Sequence, residues 1–201
     1  MEKLLQNAIR SFKTLLNFFN KKINLTNMET IITQRALPDT SMFSKTILKA
    51  WTLQVARINE FLNTVSDDVL VRETAPGRNS GTYLIGHLIA VNDGLFPLLG
   101  FGNKLYPELE KVFISSPDNA GQQFPLIADL RKYWIDVNEK LLEHFTALDP
   151  EAWVSKHEAV NDEDFAKEPH RNKLNVVISR TTHMSYHLGQ LAYLKKREIK
   201  E

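Results

Sequence analysis

Chemistry first suggests itself at two histidines four residues apart, in Arg180-Thr-Thr-His183-Met-Ser-Tyr-His187-Leu-Gly-Gln190-Leu-Ala-Tyr-Leu194. The stretch has no proline, a single glycine and many good helix formers, so it predicts a helix. On a helix, residues four apart stack on one face, so His183 and His187 point the same way. Their ring nitrogens then come close enough to share one metal ion. From His183, positions i+4, i+7, i+8 and i+11 are His187, Gln190, Leu191 and Leu194, a largely apolar face that a globular protein buries. Imidazoles on a buried stripe need partners, because desolvated polar groups without them cost free energy. A metal is one such partner, since neutral imidazole ligates zinc, nickel, copper and iron. A pair of hydrogen-bonded core histidines is the other reading that this spacing allows, and a metal requires a third ligand.

The elements that must position that ligand are read from hydrophobic period. After the turn Leu37-Pro38-Asp39-Thr40-Ser41, a helix over about 41–66 carries Leu48, Trp51, Val55, Ile58, Leu62 and Val65 on one face. A loop with Pro76-Gly77 follows. A second helix, about 80–99, has the face Tyr83, Leu84, His87, Val91, Gly94, Leu95 and Leu98, with a kink expected at Pro97. Pro107–Phe113 reads as a short helix in a crossover. The third long helix starts near Pro125, a good first helical position, and presents Leu126, Leu130, Tyr133, Trp134, Val137, Leu141, Phe145 and Leu148 before Pro150. Residues 151–172 read as a long polar loop, and the last helix covers about 173–198. No alternating strand pattern, repeat or Gly-rich phosphate loop is present. The expected fold is all-α: a four-helix bundle with one long crossover over residues 39–201.

Residues 1–38 differ from the rest. Leu4, Leu5, Ile9, Phe12, Leu15, Leu16, Phe19 and Ile23 recur at helical spacing, with Lys3, Arg10, Lys13, Lys21 and Lys22 against Glu2. This reads as a basic amphipathic N-terminal extension that packs loosely, or as a helix lying on an anionic membrane; Met28 is an alternative start. The whole chain has 201 residues, formal net charge +1 and no cysteine. The charge offers no overall field for nucleic acid. The absence of cysteine excludes disulfides, a cysteine nucleophile and Cys-ligated metal, and fits a reducing compartment such as the cytoplasm.

In the bundle, His87 lies on the stripe of the second helix while His183 and His187 lie on that of the fourth. His144 falls off the apolar face of its helix, and His157 and His170 fall in the polar loop. Three imidazoles from two facing helices would cap one face of a metal and leave a position open, as in catalytic zinc sites. Such a metal would lower the pKa of its water or polarise a bound group. Arg180, one turn before His183, either holds an anionic substrate group or snorkels to the surface. Gln190 could bond a ligand or a neighbouring helix. Asp93 lies off the face of His87 and is expected to bond backbone or a partner helix. Asp162, Glu163, Asp164 and His157 form either a lid or a solvated acidic loop.

The segments Gly81-Thr-Tyr-Leu-Ile-Gly-His87-Leu-Ile-Ala with Asn92-Asp93, and His183-Met-Ser-Tyr-His187-Leu-Gly-Gln190-Leu, resemble the DinB/YfiT-like superfamily. The resemblance covers roughly residues 41–198. It implies a four-helix bundle, often a homodimer, with one divalent metal, zinc or nickel, on His87, His183 and His187. It further implies a metal-dependent hydrolase, or an S-transferase using a low-molecular-weight thiol, acting on a small-molecule substrate. A metal-stabilised bundle that acts only through dimer or partner contacts, and a plain bundle without metal, remain the competing readings. Metal binding should weaken as pH falls through the ordinary histidine range near about 6.5, and occupancy persisting well below it would point to carboxylate ligands.

Overall fold

The computed structural model describes residues 40–195; the expected N-terminal extension, Met28 and the last residues of the fourth helix lie outside them. Four long helices span Thr40–Thr64 (α1), Gly81–Asp93 (α2), Ile127–Ala147 (α3) and Lys173–Leu191 (α4). Among the described residues there is no strand, only isolated bridges at Glu73–Ser80 and Lys156–Asn172. The core draws on all four helices: Trp51, Ile58 and Leu62 from α1, Leu84, Leu88 and Ile89 from α2, Trp134, Val137, Leu141 and Phe145 from α3, and Val177, Met184 and Leu191 from α4. Fully burying each such side chain contributes about 1.5–3 kcal/mol, so these stripes hold the bundle together.

Helix α2 is buried on nearly every side, beyond the single stripe that its sequence predicts. It is the central element, packed against α3, α4 and the crossover helix Leu109–Phe113. Ser80 caps its start, the hydroxyl accepting from the Tyr83 amide at 3.2 Å. It ends at Asp93, earlier than the expected 99, and resumes as a single turn, Leu95–Leu98. Pro97 has no amide to donate to the Asp93 carbonyl, so the helix breaks at Gly94. Buried Asn92 crosses to α3, its Nδ2 donating to Asn138 Oδ1 at 3.0 Å.

Helix α4 runs antiparallel to α2. At one end Lys173 Nζ donates to the Leu99 carbonyl at 2.7 Å; at the other, Gly81 approaches Leu194 so closely that a Cβ would lie 2.6 Å from its Cδ1. The segment 151–172 is not an open loop. It holds a 3-10 turn at Ala152–Val154, seated by Trp153, which is only 2% exposed and packs its ring 5.6 Å from that of Phe145, and a helix at Asp162–Lys167 capped by Asn161. Leu126, expected on the core face of α3, is 72% exposed. It precedes the helix in extended conformation, so the helical period does not apply to it.

Candidate metal centre

His87 follows Gly86 in the middle of α2. A Cβ at Gly86 would come within 2.3 Å of the Phe113 ring, so only glycine lets that ring rest on the α2 backbone. Phe113 ends the crossover helix, where carbonyls lack intrahelical donors. Its carbonyl oxygen accepts from His87 Nδ1 at 2.8 Å. A carbonyl can only accept, so Nδ1 carries the proton and Nε2 presents a lone pair. Tyr83, one turn earlier, stacks on His87 with rings 6.2 Å apart and 10° from parallel. Its hydroxyl donates to the Ser116 carbonyl at 2.8 Å.

The same logic operates on α4. His187, 8% exposed, has Nδ1 2.7 Å from Gln190 Oε1. Gln190 in turn donates from Nε2 to the Tyr186 hydroxyl at 3.3 Å, which orients its oxygen toward the histidine. His187 Nε2 is therefore also left with a lone pair. His183 completes the group: its Nε2 lies 2.9 Å from that of His187 and 3.4 Å from that of His87. His183 Nδ1 is buried without a partner.

Protonation opposes this convergence. Burial, followed by the charges of His187, His87 and Arg180, pulls the His183 pKa down to about 4. Burial likewise lowers that of His187, against the Gln190 bond that favours its charged form. His87 and His187 both present lone pairs to His183 Nε2, an arrangement that either a proton on that nitrogen or a shared cation satisfies. Tetrahedral zinc, with bonds of about 2.0–2.1 Å, sets its nitrogens about 3.4 Å apart. The 3.4 Å between His87 and His183 matches that set and the 2.9 Å between His183 and His187 is shorter; the cluster of His87, His183 and His187 contains no carboxylate.

The other candidates separate clearly. Gln190 belongs to the site as the residue that orients His187. Arg180 lies one turn before His183, partly buried, its Nε without a partner. Asp93 is 1% exposed and accepts from the Leu105 and Tyr106 amides at 2.8 and 3.0 Å, holding the start of the crossover. Asp162, Glu163 and Asp164 form the first turn of a short helix capped by Asn161, with Lys156 and Lys167 paired to Asp162 and Glu163. This segment joins the far end of the α2–α4 pair, through the Glu158 amide to the Leu98 carbonyl and the Lys173 amide to the Ser155 carbonyl. It is no lid for the histidines. His157 is half-buried, with its pKa lowered by burial and by Arg171. His144, though off the apolar face, stacks on Phe101 at 4.7 Å, and His170 is exposed.

Sequence reasoning missed the Phe113 carbonyl and placed Tyr83 on the His87 face without a role at the site. The signal for Phe113 was Gly86 inside a helix, which marks a close approach of another element. A cleft of about 1040 Å³ lies elsewhere, against Arg78, Ser80, Asp118, Phe124 and Leu126, and none of the three histidines lines it.

A family model described as DinB superfamily matches residues 50–191, from within α1 to the last residue of α4, and so includes all three histidines. No curated protein matches the chain.

Proposed function

Since the chain belongs to the DinB superfamily, we propose that it is a metal-dependent enzyme holding one divalent cation, zinc or nickel, on His87, His183 and His187. The observation that carries the proposal is the convergence of the three Nε2 atoms, two of them with tautomers set by Phe113 and Gln190. A divalent cation there would supply Lewis acidity, lowering the pKa of a water or thiol that reaches its open position. The protein's own residues aim the imidazoles, partly shield them from water and disfavour the charged forms of His183 and His187.

Of hydrolysis and thiol transfer, the donor set favours thiol transfer. Hydrolysis profits from a positioned carboxylate base to take the proton from water, and no carboxylate belongs to the histidine cluster. A thiol, with an ordinary pKa of about 8.5, needs no such base once a metal binds it. The homodimer and the cytoplasmic setting belong to the same proposal. Light scattering should read about twice 23.1 kDa. Among the described residues no helix is long and apolar enough to cross a membrane.

The test is turnover by zinc- or nickel-loaded protein, comparing a small thiol plus chlorodinitrobenzene with a nitrophenyl ester. Thioether formation that disappears in His187→Ala supports the transferase. Ester cleavage alone would move the assignment to a hydrolase. Inactivity with metal bound would leave a metal-stabilised bundle that works through its contacts.

Two further outcomes follow from the hydrogen bonds and the burial. Gln190→Leu removes the acceptor of His187 Nδ1–H and should weaken metal binding about 10–100-fold, as read by competition with a chelator. The pH dependence should be displaced. A histidine whose folded pKa lies below its unfolded value of about 6.5 contributes full stability above that pH. The contribution is lost as pH falls toward the folded value, about 4 for His183. Metal occupancy should therefore persist below the ordinary histidine range, and such persistence would not signal carboxylate ligands. Release centred at or above pH 6.5, the unfolded reference, would contradict this reading.

A further inference from the structure

Among the described residues Arg180 has no hydrogen-bond or ion-pair partner. It shares the α4 stripe of His183, His187 and Gln190, at i, i+3, i+7 and i+10. Its Nε is out of contact with water and unbonded, and burial alone depresses its pKa, with no carboxylate offsetting the loss of solvent. Among the other described arginines, Arg57 and Arg78 are exposed to solvent, and the remaining three are paired. Arg131 bonds the Leu62 and Val65 carbonyls and Asp67, Arg72 pairs with Asp68, and Arg171 pairs with Glu168. A partly desolvated guanidinium without an anion is costly, and its presence beside His183 depresses stability and cation affinity alike. An arrangement that a stable fold would avoid is explained if the missing anion arrives with a ligand. The planar guanidinium fork fits a carboxylate in two-point contact better than a point charge does.

We propose that Arg180 is the anion anchor of the site, and that the substrate or thiol cosubstrate carries a carboxylate held there while its reactive group meets the histidine face. This rests on the metal-centre reading above. Three residues of helix rise separate the two stations by about 4.5 Å along α4, so a small bifunctional molecule can reach both.

The test uses full-length protein loaded with cobalt(II), whose thiolate charge-transfer band reports thiol binding. The probes are mercaptoacetate and the neutral 2-mercaptoethanol. Wild type should bind mercaptoacetate at least about tenfold more tightly, the change expected for about 1.4 kcal/mol from one charged contact. Arg180→Met should erase the preference with the neutral thiol as internal reference, and Arg180→Lys should restore part of it. Equal affinities in wild type, or a preference that persists in Arg180→Met, would overturn the anchor. A second readout needs no metal. Metal-free Arg180→Met should melt at or above wild type, because an unpaired charge has gone, and excess mercaptoacetate should raise the melting temperature of wild type only. A lower melting temperature for Arg180→Met, with no mercaptoacetate effect on wild type, would make Arg180 a structural residue. Failure of cobalt to bind would count against the metal reading, and the metal-free comparison would still decide the anchor.

Discussion

Replacing His183 and His187 together with alanine should abolish uptake of zinc or nickel and leave the bundle folded. Wild type should take up about one equivalent. Metal that binds only the folded state adds RT ln(1 + [M]/Kd), about 4 kcal/mol at a thousandfold excess over Kd. For a domain of this size that is a rise in melting temperature of about 10 °C, reversed by chelator. The double variant should show neither the rise nor the reversal. Its metal-free fold should survive, because His183 contributes little to the fold: its Nδ1 is buried without a partner and its charged form is strongly disfavoured. Alanine removes those liabilities and is the best helix former. Elemental analysis beside circular dichroism reads both halves. A wild type that takes up no metal after reconstitution would end the catalytic proposal, and a variant that unfolds would show the histidines to be structural.

Gly86→Ala should damage both stability and the site, whereas Gly189→Ala should not. Both glycines flank ligand-candidate histidines inside long helices, and local propensity would rate either change as favourable by roughly 1 kcal/mol. At Gly189 nothing lies within 4 Å of a built Cβ, so that gain should be realised. At Gly86 the new methyl would lie 2.3 Å from the Phe113 ring. The ring cannot step aside: it is fully buried, with the Tyr83 and Phe124 rings 5.8 and 5.1 Å away. Overpacking of this kind costs about 1–3 kcal/mol. Relief requires the crossover helix to move, carrying its carbonyl away from His87 Nδ1. Metal affinity should then fall about 10–100-fold, the usual effect of losing a partner that orients a ligand. Denaturant melts and chelator competition on the two variants check this. Equal behaviour of the two glycine variants would show that the Phe113 contact does not govern the site.

The same pair of glycines shows how far the sequence is legible. Period along a single helix is a local property. It announced the four long helices, placed His183 and His187 on one face, and put His87 on the stripe of another, which with the histidine motifs was enough to anticipate the superfamily. Tautomer, burial and partner choice are not local. His87 meets Phe113 from 26 residues away and His183 from 96, and whether those groups touch depends on how closely helices dock. The central place of α2 buries it on nearly every side, although its own pattern announces one face. Trp153 finds Phe145 and turns an apparent loop into ordered structure. Arg180 reads either as an anion holder or as a snorkelling surface arginine until the described residues around it prove to offer no anion. The sequence by itself determined the four long helices and the identity of the three inward histidines, because period and residue type act within one turn of helix. Only the tertiary structure decided which nitrogens face inward, which glycine is irreplaceable and which charge is unpaired, because these depend on distances between elements remote in the chain.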